Sequence, residues 1–280
     1  MEKVSIIIPI YHGQSYIPRI LTMIDENARL AKNDARVELI LVNDSPDISL
    51  NVDFTKLKYA TGLLINNNKN SGIHKSRITG IQKSMGDYII MLDQDDILDS
   101  NAVKSQLSHI KNGAVVVANG YAELARGKKF LYKYAIMQYT VNYLFFYDYF
   151  DCRIISPGHC MIKKDSIPHI WYEYPLVNNG SDDFFLWLLL LNNKTKFKIN
   201  RDTVYTHTFT GNNVSADTEK MNKSVTEIIQ IARETKCIKE KHLRIIEKRI
   251  NDSGNFMQNA MNRMRSIGER VNEMSVNKHE

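Results

Sequence analysis

The sequence predicts an α/β protein with a largely parallel central sheet flanked by helices and a helical extension at its C-terminal end. Two observations carry that prediction. Over residues 1–120, short aliphatic runs alternate with helical patterns, the order expected of strand–helix–strand units. The runs are also rich in Val and Ile and lack polar alternation, as strands do when helices cover both faces of a sheet.

In chain order, Val4–Ile8 reads as the first strand and Tyr16–Leu30 as the first helix. Val37–Val42 is the second strand, closed by Asn43-Asp44-Ser45-Pro46, and Gly62–Ile65 is the third. A helix over Ile73–Met85 is entered through Ser71 and Gly72, and Tyr88–Leu92 forms the fourth strand. Asp99 is suited to cap a helix over Val103–Ile110, and Ala114–Ala118 is the fifth strand. Aromatic residues then crowd between Phe130 and Phe150. Leu131, Ala135, Tyr139, Tyr143, Phe146 and Phe150 recur at helical intervals, which predicts an aromatic helix face used for core packing, sugar stacking or membrane contact. Towards the end, Val225, Ile228, Ile229, Ala232, Leu243, Ile246 and Ile250 form an apolar stripe interrupted by Lys236 and Lys239. Gly254 breaks it, and Met257, Met261 and Met264 start another. These patterns divide the chain into residues 1–215, with a boundary inside it near residue 100, and a helical extension over 216–280.

At 280 residues, 43% hydrophobic and 24% charged, the chain has the composition of a globular protein. Its longest apolar stretch, Phe184–Leu191, falls far short of the roughly 20 residues that span a bilayer. The first residues lack the basic segment of a signal peptide, and Cys152, Cys160 and Cys237 suit neither a disulfide framework nor a zinc site. A cytoplasmic protein is the expectation. Of the net charge of +6, much falls in residues 220–250, where nine Lys/Arg face four Glu. This charge is either a solvated helix face or a surface for the inner face of an anionic membrane, and the same helices could dock on residues 1–215, pair two copies of the chain or lie on that membrane. No nucleic-acid-binding module accompanies the charge, so nucleic acid is not expected as a partner.

Ligands of open α/β sheets bind beyond the carboxyl ends of the strands. Three polar segments stand there: Pro9-Ile10-Tyr11, Asn43-Asp44-Ser45 and Asp93-Gln94-Asp95-Asp96. Carboxylates packed as densely as in the last repel one another unless a cation or hydrogen-bond donors gather there. Oxygen donors suit Mg2+ or Mn2+. Turn-filling and helix-capping remain as plainer uses of such acids, for Asp96 and Asp99 above all.

The blocks VSIIIPIYHGQSYIPRIL, VELILVNDSPD and NSGIHKSRITGIQKSMGDYIIMLDQDD, in that order and at that spacing, resemble the nucleotide-binding half of family 2 glycosyltransferases, inverting enzymes of GT-A fold. The likeness is strong over residues 3–100. It continues more weakly through SPGHCMIKKD, NNGSDDFFLWLLLL and YTHTFTGNNVS to about residue 215. It implies that Asp44 contacts the nucleotide base, that Pro9 and Tyr11 wall the base and ribose, and that Arg77 faces the nucleotide. Asp93 would lie near ribose and donor sugar, with Asp95 on the metal. Asp183 aligns with the catalytic base, and His207 with a late metal ligand or phosphate contact. Asp182 stands where the family carries Glu, a departure that leaves its role open between a functional acid and the cap of a helix beginning near Phe184.

The implied activity is metal-dependent transfer of a sugar from a nucleotide-sugar donor, UDP-sugar favoured, to a hydroxyl of a glycan, lipid-linked or protein acceptor in surface glycan assembly. A nucleotidyltransferase would carry a Gly-rich basic loop after the first strand, where this chain has Pro-Ile-Tyr-His-Gly. A catalytically silent sugar-nucleotide-binding protein is the remaining alternative, opposed by the presence of Asp93, Asp95 and Asp183.

Overall fold

The computed structural model describes residues 1–124, 127–210 and 217–252. Four strands form a parallel block: β1 (Glu2–Ile10), β2 (Ala35–Asn43), β3 (Thr61–Asn66) and β4 (Tyr88–Met91), with β1 between β2 and β4 and β3 at the edge. The sheet continues through β5 (Ile97–Leu98), β6 (Val115–Leu124), β7 (Gly127–Phe130), β8 (Cys160–Lys163) and β9 (Lys198–Thr208) in the order β3-β2-β1-β4-β8-β6-β9-β5, with β7 on β6. Here directions mix: β8 runs antiparallel to β4 and β6, β9 parallel to β6, and β5 antiparallel to β9. The parallel expectation therefore holds for the first half, and the second half is mixed. The strand expected at Ala114–Ala118 runs on to Leu124, with register shifts on either side of Asn119 that bend it.

The absence of polar alternation is explained by two cores. Along β1, Val4, Ile6, Ile8 and Ile10 pack with α1 (Ile17–Ala31) and α3 (Ala102–Ile110) on one face. Ile7 points to the other face, with α2 (Ile73–Lys83) and α7 (Asp182–Asn192). Every residue of α7 from Phe184 to Leu191 is buried, so its apolar run is that of a central core helix. Edge strand β3 is the exception, since its residues are largely exposed.

Two expectations are corrected. Asp99 does not cap α3: Asn101 holds that position, and Asp99 instead donates its backbone N–H to Val204 O (2.9 Å), continuing the β5–β9 pairing. The aromatic segment is not one helix. It divides into α4 (Ala135–Tyr139), a 3-10 turn over Thr140–Asn142 and α5 (Leu144–Phe150), with Tyr143 extended between the last two. Long-range bonds impose the break. Asn119 grips the backbone of Tyr132 through both its N–H and its carbonyl, and Gln138 donates to Val117 O and Asn200 O. Tyr132 and Tyr147 are consequently buried while Tyr134, Tyr139 and Tyr143 face outward.

The C-terminal stripe lies on α8 (Thr218–Thr235) and α9 (Glu240–Asn251), and of its three expected uses it takes docking on the preceding residues. Val225, Ile228, Ile229, Ala232, Leu243 and Ile246 are buried in the same cluster as α7. Polar clamps reinforce the docking: His242 Nδ1 meets Asp148 Oδ2 at 2.6 Å, and Arg249 Nη1 donates to Tyr147 O at 2.7 Å. Gly254 and the Met257, Met261, Met264 stripe lie outside the described residues. No helix among the described residues is long and apolar enough to cross a membrane. Leu243→Ala should therefore destabilise the whole protein by about 2–5 kcal/mol, the range for a large side chain removed from a packed core. Urea unfolding followed by tryptophan fluorescence reads this through Trp171 and Trp187, both fully buried in that core. An unchanged midpoint would mean that α9 is an independent appendage.

Candidate active site

The sheet register assembles the site. Ile10 pairs with Asn43 and Ile7 with Met91, so β1, β2 and β4 end at one edge and deliver Tyr11, Asp44 and Asp93 side by side. The emerging loops are laced together. Tyr11 N donates to Gln94 Oε1 (3.0 Å), Gln94 Nε2 donates back to Tyr11 O (3.1 Å), and Asp44 N donates to Ile10 O (2.8 Å). Arg19 Nη2 fixes the other side of this turn through Gln94 O (2.9 Å). The result is a cleft of about 520 Å³ lined by all the residues singled out from sequence: Pro9, Tyr11, Asp44, Arg77, Asp93, Asp95, Asp183 and His207. That size suits a small organic ligand.

Asp44 is buried and organises the loop into α2. Its Oδ1 accepts from Asn67 Nδ2 and Ser71 N (2.8 Å each), and its Oδ2 accepts from Gly72 N (2.9 Å). Gly72 has φ +84, and a Cβ there would stand 2.6 Å from Asn179 Oδ1. Only glycine allows both the backbone conformation and this approach. Asn179 Oδ1 also accepts from Ile73 N (3.1 Å), so the contact joins the loop entering α2 to the loop preceding α7.

Arg77 makes the second junction. Its Nη2 meets Asp93 Oδ1 at 2.5 Å and its Nη1 meets Asp182 Oδ2 at 2.8 Å, with the guanidinium buried. Both arms of the fork are thus taken by carboxylates that lie far apart in sequence. Burial pushes Asp182 up, but Arg77 outweighs it and holds the carboxyl below its usual range. Asp93 goes the other way: burial and the nearby Asp96 and Asp182 raise it despite Arg77. Ser181, not Asp182, is the N-cap of α7. Asp182 occupies the first turn, where the helix dipole favours negative charge.

Asp183 follows it. Its Oδ1 accepts from Phe184 N (2.8 Å), and desolvation, then the neighbouring Asp182 charge, push the carboxyl up to about 7. Such a group gains and loses a proton near neutrality, as a general base requires.

Asp96, for which turn-filling or helix-capping is the plainer expectation, is a fully buried hub. It accepts from the Tyr205 hydroxyl, from Thr208 N (2.9 Å) and from Ser156 Oγ (3.4 Å), and it meets His207 Nδ1 at 3.1 Å. This ties the end of β9 to the acidic loop and turns His207 into the cleft. Burial lowers the His207 pKa, but the Asp96 bond and the charges of Asp96, Asp93 and Asp95 prevail and raise it. With Nδ1 on Asp96, Nε2 is the nitrogen left for a ligand.

Asp95 is pushed up to about 6, first by burial and then by the charges of Asp96 and Asp93. No group of three or more His, Cys, Asp or Glu side chains is gathered to hold a metal among the described residues. The donors present, Asp95 with His207, fit a hard divalent ion only if substrate oxygens complete its shell, as is usual for Mg2+ at phosphates. Sequence reasoning missed Gln94, Asn179, Ile155 and Ser156 in the cleft wall. Gln94 stands inside the acidic motif and could have been found there; the others carry no local signal.

A family model described as Glycosyl transferase family 2 matches residues 5–171. A Rickettsia bellii protein described as an uncharacterized glycosyltransferase is 30% identical over 132 residues, covering 46% of this chain and 18% of its own length. The chain thus spans only a small part of that relative. The Escherichia coli UDP-Glc:alpha-D-GlcNAc-diphosphoundecaprenol beta-1,3-glucosyltransferase WfgD is 25% identical over 200 residues, covering 70% of this chain and 73% of its own. Among solved structures, Staphylococcus aureus TarS 1–349 in complex with UDP superposes with a TM-score of 0.62 at 15% identity, covering 91% of this chain and 74% of TarS. The same TarS fragment is also known in complex with UDP-GlcNAc.

Proposed function

This chain belongs to glycosyl transferase family 2, and we propose that it transfers a sugar, with inversion, from a UDP-sugar to an acceptor hydroxyl. The observation that carries the reading is Asp183: a carboxylate raised to about 7, in the wall of the same cleft as Asp93 and Asp95. The UDP preference draws on the UDP and UDP-GlcNAc complexes of TarS and on the UDP-Glc in the description of WfgD.

In this reaction Asp183 accepts the proton of the acceptor hydroxyl as that oxygen attacks the anomeric carbon. The bond from that carbon to the diphosphate oxygen breaks, and the nucleoside diphosphate leaves with the electron pair. Tyr11 and Pro9 wall the nucleotide, while Asp44 holds the 70–73 loop that forms its floor. Arg77 keeps Asp93 in place for the donor. A divalent cation, Mn2+ or Mg2+, held by Asp95 and His207 with diphosphate oxygens, would supply positive charge to the leaving group.

Nucleotide release from a panel of UDP-, GDP- and dTDP-sugars with Mn2+ or Mg2+ tests the reading. UDP release that requires the cation is expected. No turnover with any donor, combined with tight nucleotide binding, would favour a silent binding protein. Asp95→Ala should weaken cation-dependent donor binding, read by calorimetry, by about tenfold or more, the scale of losing one side chain from a metal site. Wild-type affinity in the variant, or binding unchanged by EDTA, would remove the metal role.

A further inference from the structure

The segment that failed to form one aromatic helix leaves an unusual surface. Phe130, Tyr134, Ile136, Tyr139, Tyr143 and Phe145 all stand exposed within it, Ile136 at 73%. Exposed apolar residues scattered singly need no explanation, but a concentration of this kind marks an interaction surface. Its charge is one-sided: residues 127–147 include Lys128, Lys129 and Lys133 and no Asp or Glu. Lys133 lies over the Tyr134 ring, 5.3 Å from its centre.

Several basic residues on α8 and α9, by contrast, answer to acids of the same helices or the residues beside them. Lys220 pairs with Asp217, Lys223 with Glu219, and Arg233 with Glu240 and Glu247. The apolar stripe of those helices is buried. The membrane surface expected there from sequence is therefore better matched by the aromatic segment.

We propose that the face built from residues 128–145 docks on an anionic bilayer. Tyrosine offers an apolar body and a polar tip, the chemistry that settles at headgroup level, and interleaved lysines answer anionic lipid. The same segment is bonded to the chain that leads into the cleft wall. Tyr132 Oη donates to Arg153 O (2.7 Å), Arg153 Nε donates to Thr140 Oγ1 (3.2 Å), and its guanidinium lies 5.9 Å from the centre of the Phe146 ring. Two residues further on, half-exposed Ile155 lines the cleft wall. Docking there would hold the chain on the surface that carries a lipid-linked acceptor, a consequence that rests on the proposed transferase reading. The docking itself does not.

Co-flotation of the full chain with vesicles of phosphatidylcholine, alone or mixed with phosphatidylglycerol, tests the proposal without any activity readout. Binding should rise with phosphatidylglycerol and fall with salt. Ile136→Ser with Tyr139→Ser, and separately Lys129→Glu with Lys133→Glu, should each weaken it by about tenfold or more, as these side chains supply the apolar and electrostatic attraction. All four positions are exposed, so both variants should fold, which circular dichroism checks. Lys220→Glu with Lys223→Glu should leave binding unchanged. Loss of binding in that control alone would move the contact to α8. Indifference of the wild type to lipid charge, or a concentration-dependent dimer that the Ile136 variant abolishes in place of vesicle binding, would overturn the proposal. Either result would leave donor hydrolysis, and hence the transferase reading, untouched.

Discussion

Asp183→Asn should lower sugar transfer by about 100-fold or more while leaving donor affinity nearly unchanged, the scale of a general-base contribution. The expectation follows from position. Asp183 stands at the start of a core helix, and desolvation together with Asp182 raises its carboxyl to about 7. As the base must be ionised to accept a proton, turnover of the wild type should rise with pH through about 7. The residual activity of the variant should lack that step.

Stability should move oppositely. A carboxyl whose folded-state pKa is raised binds its proton more tightly in the native than in the unfolded state. Its contribution is fully present below the unfolded-state value and is lost as pH rises through about 7. Above neutrality, Asp183→Asn should be at least as stable as the wild type, so that loss of turnover cannot be ascribed to unfolding. Thermal melts and donor calorimetry on the same preparation separate the cases. Transfer at near wild-type rate would remove Asp183 from the mechanism and direct attention to Asp182. Loss of donor binding together with turnover would assign the carboxylate to the donor site.

Arg77→Met should be the most destabilising single change in the cleft, by about 3–5 kcal/mol, the cost of leaving buried charges without their partner. Both Asp93 and Asp182 bond to this one guanidinium, so its removal sets two carboxylates against each other. Arg77→Lys should recover only part of the loss, because one ammonium cannot reproduce a planar fork between two acids. Adding Asp182→Asn to Arg77→Met should restore stability by relieving the repulsion, and the double-mutant cycle in urea measures that coupling. Equal unfolding midpoints for wild type and Arg77→Met would show that the fork carries no stability.

What could be read from the chain alone was whatever is encoded locally. The Val/Ile runs and their flanking turns declared the parallel block, because the residues of β1, β2 and β4 buried on both faces need no distant partner to show their pattern. The polar residues that follow those runs then marked Tyr11, Asp44, Asp93 and Asp95, since a parallel register places every such strand end at one edge. The resemblance added Arg77, Asp183 and His207, and all of these residues line one cleft.

Only the tertiary structure decided which groups meet across long separations. Arg77 and Asp182 are 105 residues apart, and Asp96 and Tyr205 are 109 apart. No spacing rule connects such pairs, because their encounter depends on how β9 and α7 pack against the sheet. The short β8 and the polar β9 are recognisable as strands only through the neighbours that complete their hydrogen bonds. Local pattern left the cover of both apolar stripes undecided for the same reason. Bonds from Asn119 to Tyr132 and from Gln138 to distant Val117 and Asn200 tie the aromatic segment to other strands and leave several of its rings facing out, whereas α5 and α7 offered the C-terminal stripe a core to enter. Periodicity states that a face is apolar; which surface covers it depends on distant segments that periodicity does not see.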